Sequence, residues 1–76
     1  MNLEQKIKAA IAYKGLNQAK VASMIVSKGK PLAPNNFNNK LKRGSFSIDE
    51  LEQIAKALNA KFIYVYRFEF PDGTKI

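Results

Sequence analysis

The segment PNNFNNKLKRG, residues 34–44, contains four asparagines and three basic residues but no acid. An amide side chain can donate and accept hydrogen bonds at once, so a row of amides can match a ligand that presents donors and acceptors side by side. Asparagine is a poor helix former, yet Phe37 and Leu41 are four residues apart, as on the inward face of a helix. A locally unfavourable choice of this kind indicates a functional surface.

The composition excludes most catalytic chemistry. The chain contains no Cys and no His, so it lacks a thiol nucleophile, a disulfide and an imidazole base. Its six acidic residues form no apparent acid–base pair at helical spacing. We therefore expect no enzymatic activity, no metal, no cofactor and no small-molecule substrate.

Charge is unevenly distributed along the sequence. The chain has 13 basic and 6 acidic residues, a net charge of +7, and residues 5–48 carry nine Lys or Arg and no acid. Such segregation favours a basic face that binds a polyanion, with nucleic acid the first candidate. A solvated lysine-rich surface is the alternative that charge alone leaves open.

A chain of 76 residues is long enough for one domain. No stretch approaches the roughly 18 consecutive apolar residues of a membrane span, and the apolar residues near the N-terminus are spaced helically rather than in the block of a signal peptide. Together with the lack of cysteine, this predicts a cytoplasmic protein.

Apolar periodicity and capping signals predict a mainly α fold with a C-terminal β element. Asn17 is expected to cap the second helix, Pro34 to begin the third, and Ser47 with Glu50 to form a capping box for the fourth. Residues 27–31 have the composition of a loop. The predicted helices span residues 2–14, 18–26, 34–43 and 48–58.

Residues 61–70, KFIYVYRFEF, are aromatic and β-branched and predict a strand, followed by a turn at 71–73 and a short returning strand at 74–76. Alternation puts five aromatic residues on one face of the strand, namely Phe62, Tyr64, Tyr66, Phe68 and Phe70. Because a lone hairpin with an open edge is marginal in water, we expect the strand to pair with a second copy in a two-fold dimer. The expected interface comprises Ile63, Tyr64, Val65 and Tyr66. The alternative is a monomer whose hairpin packs wholly on its own helices.

Residues 3–60 resemble the phage repressor and Cro-type helix-turn-helix family. The resemblance rests on Gln18, Val21 and Ala22 in the second helix, on the asparagine-rich third helix, and on the pattern FSIDEL…IAKAL from residue 46 to 58. It implies a four-helix DNA-binding domain at 1–60, with residues 61–76 as its dimerisation element. It also implies a small transcriptional regulator, such as a repressor, whose third helix enters the major groove of double-stranded DNA.

The resemblance also implies roles for individual residues. The base readers would be Asn35, Asn36 and Asn39, with Asn38 and Lys40 at the margin, since an amide matches the N6 and N7 atoms of adenine. Phosphate contacts would come from Gln18, Lys28, Lys30, Lys42, Arg43, Ser45 and Ser47.

Simpler roles remain open for several of these residues. Asn35 and Asn36 would also serve as ordinary first-turn residues, and Lys42 and Arg43 as cations favoured by the helix dipole. Stacking of Tyr64 and Tyr66 on bases is a further alternative, although aromatic residues in a strand more often serve packing.

One segment departs from the family pattern. Phe37 follows Ala22 by fifteen positions rather than the usual ten or so, so the turn between the second and third helices is enlarged around residues 27–31. Ala33 stands where a capping Ser is expected, which removes a contribution of about 0.5–2 kcal/mol. Lys28 and Lys30 in the enlarged turn are expected to reach a neighbouring phosphate.

The sequence therefore predicts sequence-specific binding of double-stranded DNA. The competing hypothesis is a protein-interaction module, an adaptor or antitoxin subunit, whose C-terminal strand adds to a partner's sheet.

Overall fold

The computed structural model describes residues 2–63 and 66–76. Within them the chain is mainly α, with four helices and two short antiparallel strand pairs. The helices are α1 (Leu3–Tyr13), α2 (Gln18–Ser23), α3 (Pro34–Arg43) and α4 (Ile48–Ala57). The strands are β1 (Val26–Ser27), β2 (Lys30–Pro31), β3 (Lys61–Ile63) and β4 (Arg67–Glu69). None of the helices in the described ranges is long and apolar enough to cross a membrane.

The ends of the helices follow the capping signals of the sequence. Ser47 Oγ accepts from the Glu50 N–H at 3.1 Å, and Glu50 Oε1 accepts from the Ser47 N–H at 2.8 Å, so the predicted capping box of α4 is confirmed. Helix α3 begins at Pro34 with no side-chain cap from Ala33, and ends at Arg43 with Gly44 as its C-cap. Gly44 has φ 63°, the left-handed conformation that terminates helices at low cost when no Cβ is present.

Helix α3 is attached to the core by the two residues predicted to face inward. Phe37 and Leu41 are 0% and 1% exposed, and the ring of Phe37 lies 5.2 Å from that of Phe46. Burial of one such side chain contributes about 1.5–3 kcal/mol, so this face fixes the rotation of the helix about its axis. The buried apolar cluster also includes Ile7, Ala10, Ile11, Val21, Ala22, Ile25, Leu32, Leu51, Ile54, Ala55, Leu58, Phe62, Phe68 and Phe70.

The prediction of one continuous strand over residues 61–70 is wrong. β3 and β4 form an antiparallel hairpin in which Phe62 pairs with Phe68, with ring centroids 5.3 Å apart. Tyr66 has φ 57°, a conformation that a strand cannot contain, so the chain reverses before β4. On either side of the reversal, both phenylalanines belong to the same buried apolar cluster.

The reversal changes the predicted faces and bears on the predicted dimer contact. Phe62, Phe68 and Phe70 are buried as expected, whereas Tyr66 is 48% exposed. Ile63 is half-buried, while Tyr64 and Val65 lie outside the described residues. The long open strand from which the dimer was inferred is not formed, and the dimer itself stays a prediction.

The predicted return of the C-terminus is confirmed. The backbones of Phe68 and Ile76 exchange two hydrogen bonds of 2.8 and 2.9 Å, which adds the last residues to the edge of β4. The turn is tied to α1, because the Tyr13 hydroxyl donates to the Asp72 carboxylate. That hydrogen bond, followed by one from the backbone N–H of Thr74, lowers the pKa of Asp72.

Candidate nucleic-acid interface

The enlarged turn between α2 and α3 is a β-hairpin, where the sequence predicted a helix to residue 26 and then a loop. α2 ends at Ser23, and β1 pairs with β2 through Val26–Pro31 and Ser27–Lys30. Lys28 and Gly29 form the two-residue turn with φ 53° and 78°. Two positive φ angles are typical of a type I′ turn, whose twist matches that of the strands.

The hairpin joins the helical body at a single hydrogen-bonded pair. The N–H of Leu32 donates to the carbonyl of Ile25 at 2.9 Å, and both side chains are buried. Because bonded and non-bonded pairs alternate in an antiparallel ladder, the Val26–Pro31 pair is non-bonded. The missing N–H of Pro31 therefore removes no hydrogen bond between β1 and β2. The backbone N–H and carbonyl of Val26 point away from β2.

Gln53 of α4 satisfies those backbone groups. Its Oε1 accepts from the Val26 N–H at 2.8 Å, and its Nε2 donates to the Val26 carbonyl at 3.1 Å. The same Nε2 donates to Asp49 Oδ2 at 2.9 Å, which orients the amide. The Gln53 amide thus makes the two backbone hydrogen bonds that a neighbouring strand would make, and it fixes the hairpin against α4.

The outward face of α3 carries the amides. Asn35, Asn36 and Asn39 are exposed, and Asn38 is half-buried. Within the described part of the chain, the side chains of these four residues make no hydrogen bond to protein atoms. Intramolecular bonding therefore does not explain why poor helix formers occupy this helix, and their amides are available to a ligand.

A groove of about 650 Å³ separates α3 from the hairpin. Both walls contribute cations, and the described residues that line the groove include no acid. Leu32, Pro31 and Ala33 form part of its wall. The groove brings together seven of the residues selected from the sequence, namely Lys28, Lys30, Asn36, Asn39, Lys40, Arg43 and Ser45.

Lys40 differs from the other cations of the groove because it is paired. Its Nζ lies 3.3 Å from Glu50 Oε2 and 3.4 Å from Oε1, which ties α3 to the start of α4. Burial raises the pKa of Glu50, but the hydrogen bonds from Ser47 and Lys40 outweigh it, so the pKa of this carboxyl is lowered. The carboxylate is therefore ionised at neutral pH, and its attraction draws Lys40 away from a base-reading role.

The remaining predicted residues lie outside the groove. Asn35 and Lys42 are exposed on α3, and Asn38 is half-buried on the same helix. Gln18 is half-buried at the first position of α2. The hydroxyl of Ser47 already accepts a hydrogen bond as the cap of α4.

These features define a small, mainly α domain with a cationic, amide-bearing groove between a helix and a hairpin. The chain belongs to the family described as Domain of unknown function (DUF6471), whose profile matches residues 2–63. The matched region contains α3, the hairpin and Gln53, and hence the whole groove. Comparisons with curated proteins and with solved structures give no significant match.

Proposed function

We propose that this protein binds double-stranded DNA with sequence specificity, as a small transcriptional regulator of the helix-turn-helix type. The observation that carries the proposal is the exposed row of unpaired amides on α3, which borders a groove lined by cations and by no acid among the described residues. Amides supply paired donors and acceptors for base edges, and lysine and arginine supply charge for phosphates.

Helix α3 has suitable dimensions for the major groove. Its ten residues span about 15 Å, and an α-helix with side chains is about 10–12 Å across. The major groove of B-DNA, about 12 Å wide, admits such a helix. In the proposed complex Asn35, Asn36 and Asn39 read base edges with Asn38 at the margin, while Lys40 stays paired with Glu50.

Phosphate contacts surround the proposed reading face. Lys42, Arg43 and Ser45 follow the base readers at the C-terminal end of α3, and Gln18 begins α2. Such contacts fix the register of the helix on the duplex but carry no sequence information. The Ser47 hydroxyl accepts a hydrogen bond from the Glu50 N–H, and its own O–H is left to donate to a phosphate.

A two-fold dimer completes the proposal. Among the described helices only α3 carries the row of amides, and successive half-sites on one face of B-DNA are about 34 Å apart. A single copy therefore engages one half-site, and a second copy gives a palindromic operator. We assign the contact between copies to the β3–β4 hairpin, where Ile63 is half-buried and Tyr66 is exposed.

The deciding experiment is selection of bound duplexes from a random pool, followed by measurement of the mass of the complex. We expect an inverted repeat and two protein chains per duplex. Equal affinity for every duplex would reduce the protein to a general DNA binder. Absence of binding to any duplex at low salt would refute the proposal and favour the protein-interaction hypothesis.

A further inference from the structure

We infer that the β1–β2 hairpin is a second DNA-contacting element, and that the groove between it and α3 receives the sugar–phosphate strand bordering the major groove. This inference rests on the proposed function. In this arrangement α3 lies on one side of the sugar–phosphate strand and the hairpin lies on the other side. A tight helix-turn-helix connection has no such hairpin.

The charges of the two walls support this occupant. Lys28 and Lys30 lie on the hairpin side of the groove, and Arg43 lies on the α3 side. All three side chains are without an acidic partner in the described part of the chain. A nucleic-acid strand carries one negative charge about every 3.4 Å, so cations facing each other across a groove match a strand that runs along it.

The conformation of the hairpin tip also indicates a role for charge. A type I′ turn favours Asn-Gly or Asp-Gly, because its first position requires a positive φ. Lys28 occupies that position with φ 53°, where Asn would be better tolerated. The sequence therefore places a cation at the most projecting point of the hairpin against its local conformational preference.

The hairpin is held in position before DNA binds. Gln53 bonds both backbone polar groups of Val26, and the Leu32–Ile25 hydrogen bond closes the base of the hairpin. A preorganised element loses less conformational freedom on binding. Gln53 is therefore a positioning residue, which acts on DNA through the hairpin and does not touch it.

The inference predicts how affinity depends on salt. Each neutralised phosphate contributes about 0.9 to the slope of log K against log salt. The double variant Lys28→Asn, Lys30→Gln should lower the steepness by about 1.8, which corresponds to about 60-fold weaker binding at 0.1 M salt if affinity at 1 M is unchanged. Asn suits the positive φ at residue 28, so the turn is kept while the charge is lost.

The matched control is Lys14→Gln, Lys56→Gln, which removes two exposed charges that lie outside the groove and outside the β3–β4 hairpin. We expect this control to keep the salt slope of the unaltered protein. The double variant of the hairpin should still prefer the same selected duplex, since α3 still reads the bases. Hydroxyl-radical footprinting should lose protection beside the α3 half-site only in the hairpin variant. Equal slopes for the two double variants would overturn the inference.

Gln53→Ala supplies a test that leaves charge unchanged. We expect it to reduce the salt slope toward that of the hairpin variant. A variant that melts earlier but keeps the full slope would show that Gln53 is structural only. If the hairpin variants bind the duplex that the unaltered protein selects with an unchanged salt slope, this inference alone is refuted. Failure of the unaltered protein to select any duplex refutes the proposed function.

Discussion

Replacing Asn39 by alanine is expected to stabilise the fold and to weaken DNA binding. Asn39 lies in the interior of α3, is exposed, lines the groove and makes no hydrogen bond to the described residues. Removing it therefore leaves no buried group unpaired. Alanine is the better helix former by up to about 0.7 kcal/mol, which corresponds to a melting temperature higher by up to about 5 °C for a domain of this size.

Binding should change in the opposite direction. One bidentate amide–base contact contributes about 1–3 kcal/mol of discrimination against a wrong base. Its loss would weaken binding about 5- to 140-fold and relax the preference at one base pair. The measurements are thermal unfolding of the free protein and titration of the selected duplex, followed by titration of duplexes altered at each position.

Asn38→Ala is the matched control for this prediction. It removes the same amide from the neighbouring, half-buried position outside the groove, and its expected gain in helix stability is similar. Its effect on affinity should be several-fold smaller than that of Asn39→Ala. The reasoning is wrong if Asn39→Ala melts higher and still binds with unchanged affinity and specificity, since the amide would then be an ordinary surface residue.

Two further predictions concern the scaffold. Because the pKa of Glu50 is lowered, its carboxylate stabilises the fold at a pH above its ordinary pKa of 4.5, and this contribution is lost as the pH falls through the folded-state pKa. Glu50→Gln should therefore flatten the acid side of a curve of unfolding free energy against pH, measured by urea unfolding. An unchanged curve would contradict the assignment. Gly44→Ala should lower the free energy of unfolding by about 1–2 kcal/mol, because φ 63° is unfavourable for a residue with a Cβ, whereas alanine at the exposed position Lys42 should have little effect.

The helical part of the fold could be predicted because its signals are local. Asn17, Ser47 and Gly44 act within one turn of the helix that they cap, so the sequence alone places those helix ends. The outward face of α3 could also be predicted, since burial of Phe37 and Leu41 decides it.

The β elements were harder to predict because their decisive contacts are distant in sequence. Residues 61–70 contain no Gly or Pro, so alternation indicates a strand but does not show where it reverses. The first hairpin has strands of two residues, which are too short to show alternation. Its support by Gln53, 27 residues away, has no signal in a single sequence.

The attachment of the first hairpin has a consequence for how this domain can vary. The chain leaves the helical body at Ile25 and returns at Leu32, and the backbones of these two residues are joined by a hydrogen bond. The number of residues between them therefore does not set the separation of α2 and α3. Loop extension itself costs little free energy. The β1–β2 hairpin can therefore be replaced by a longer or differently charged hairpin while the four helices keep their packing.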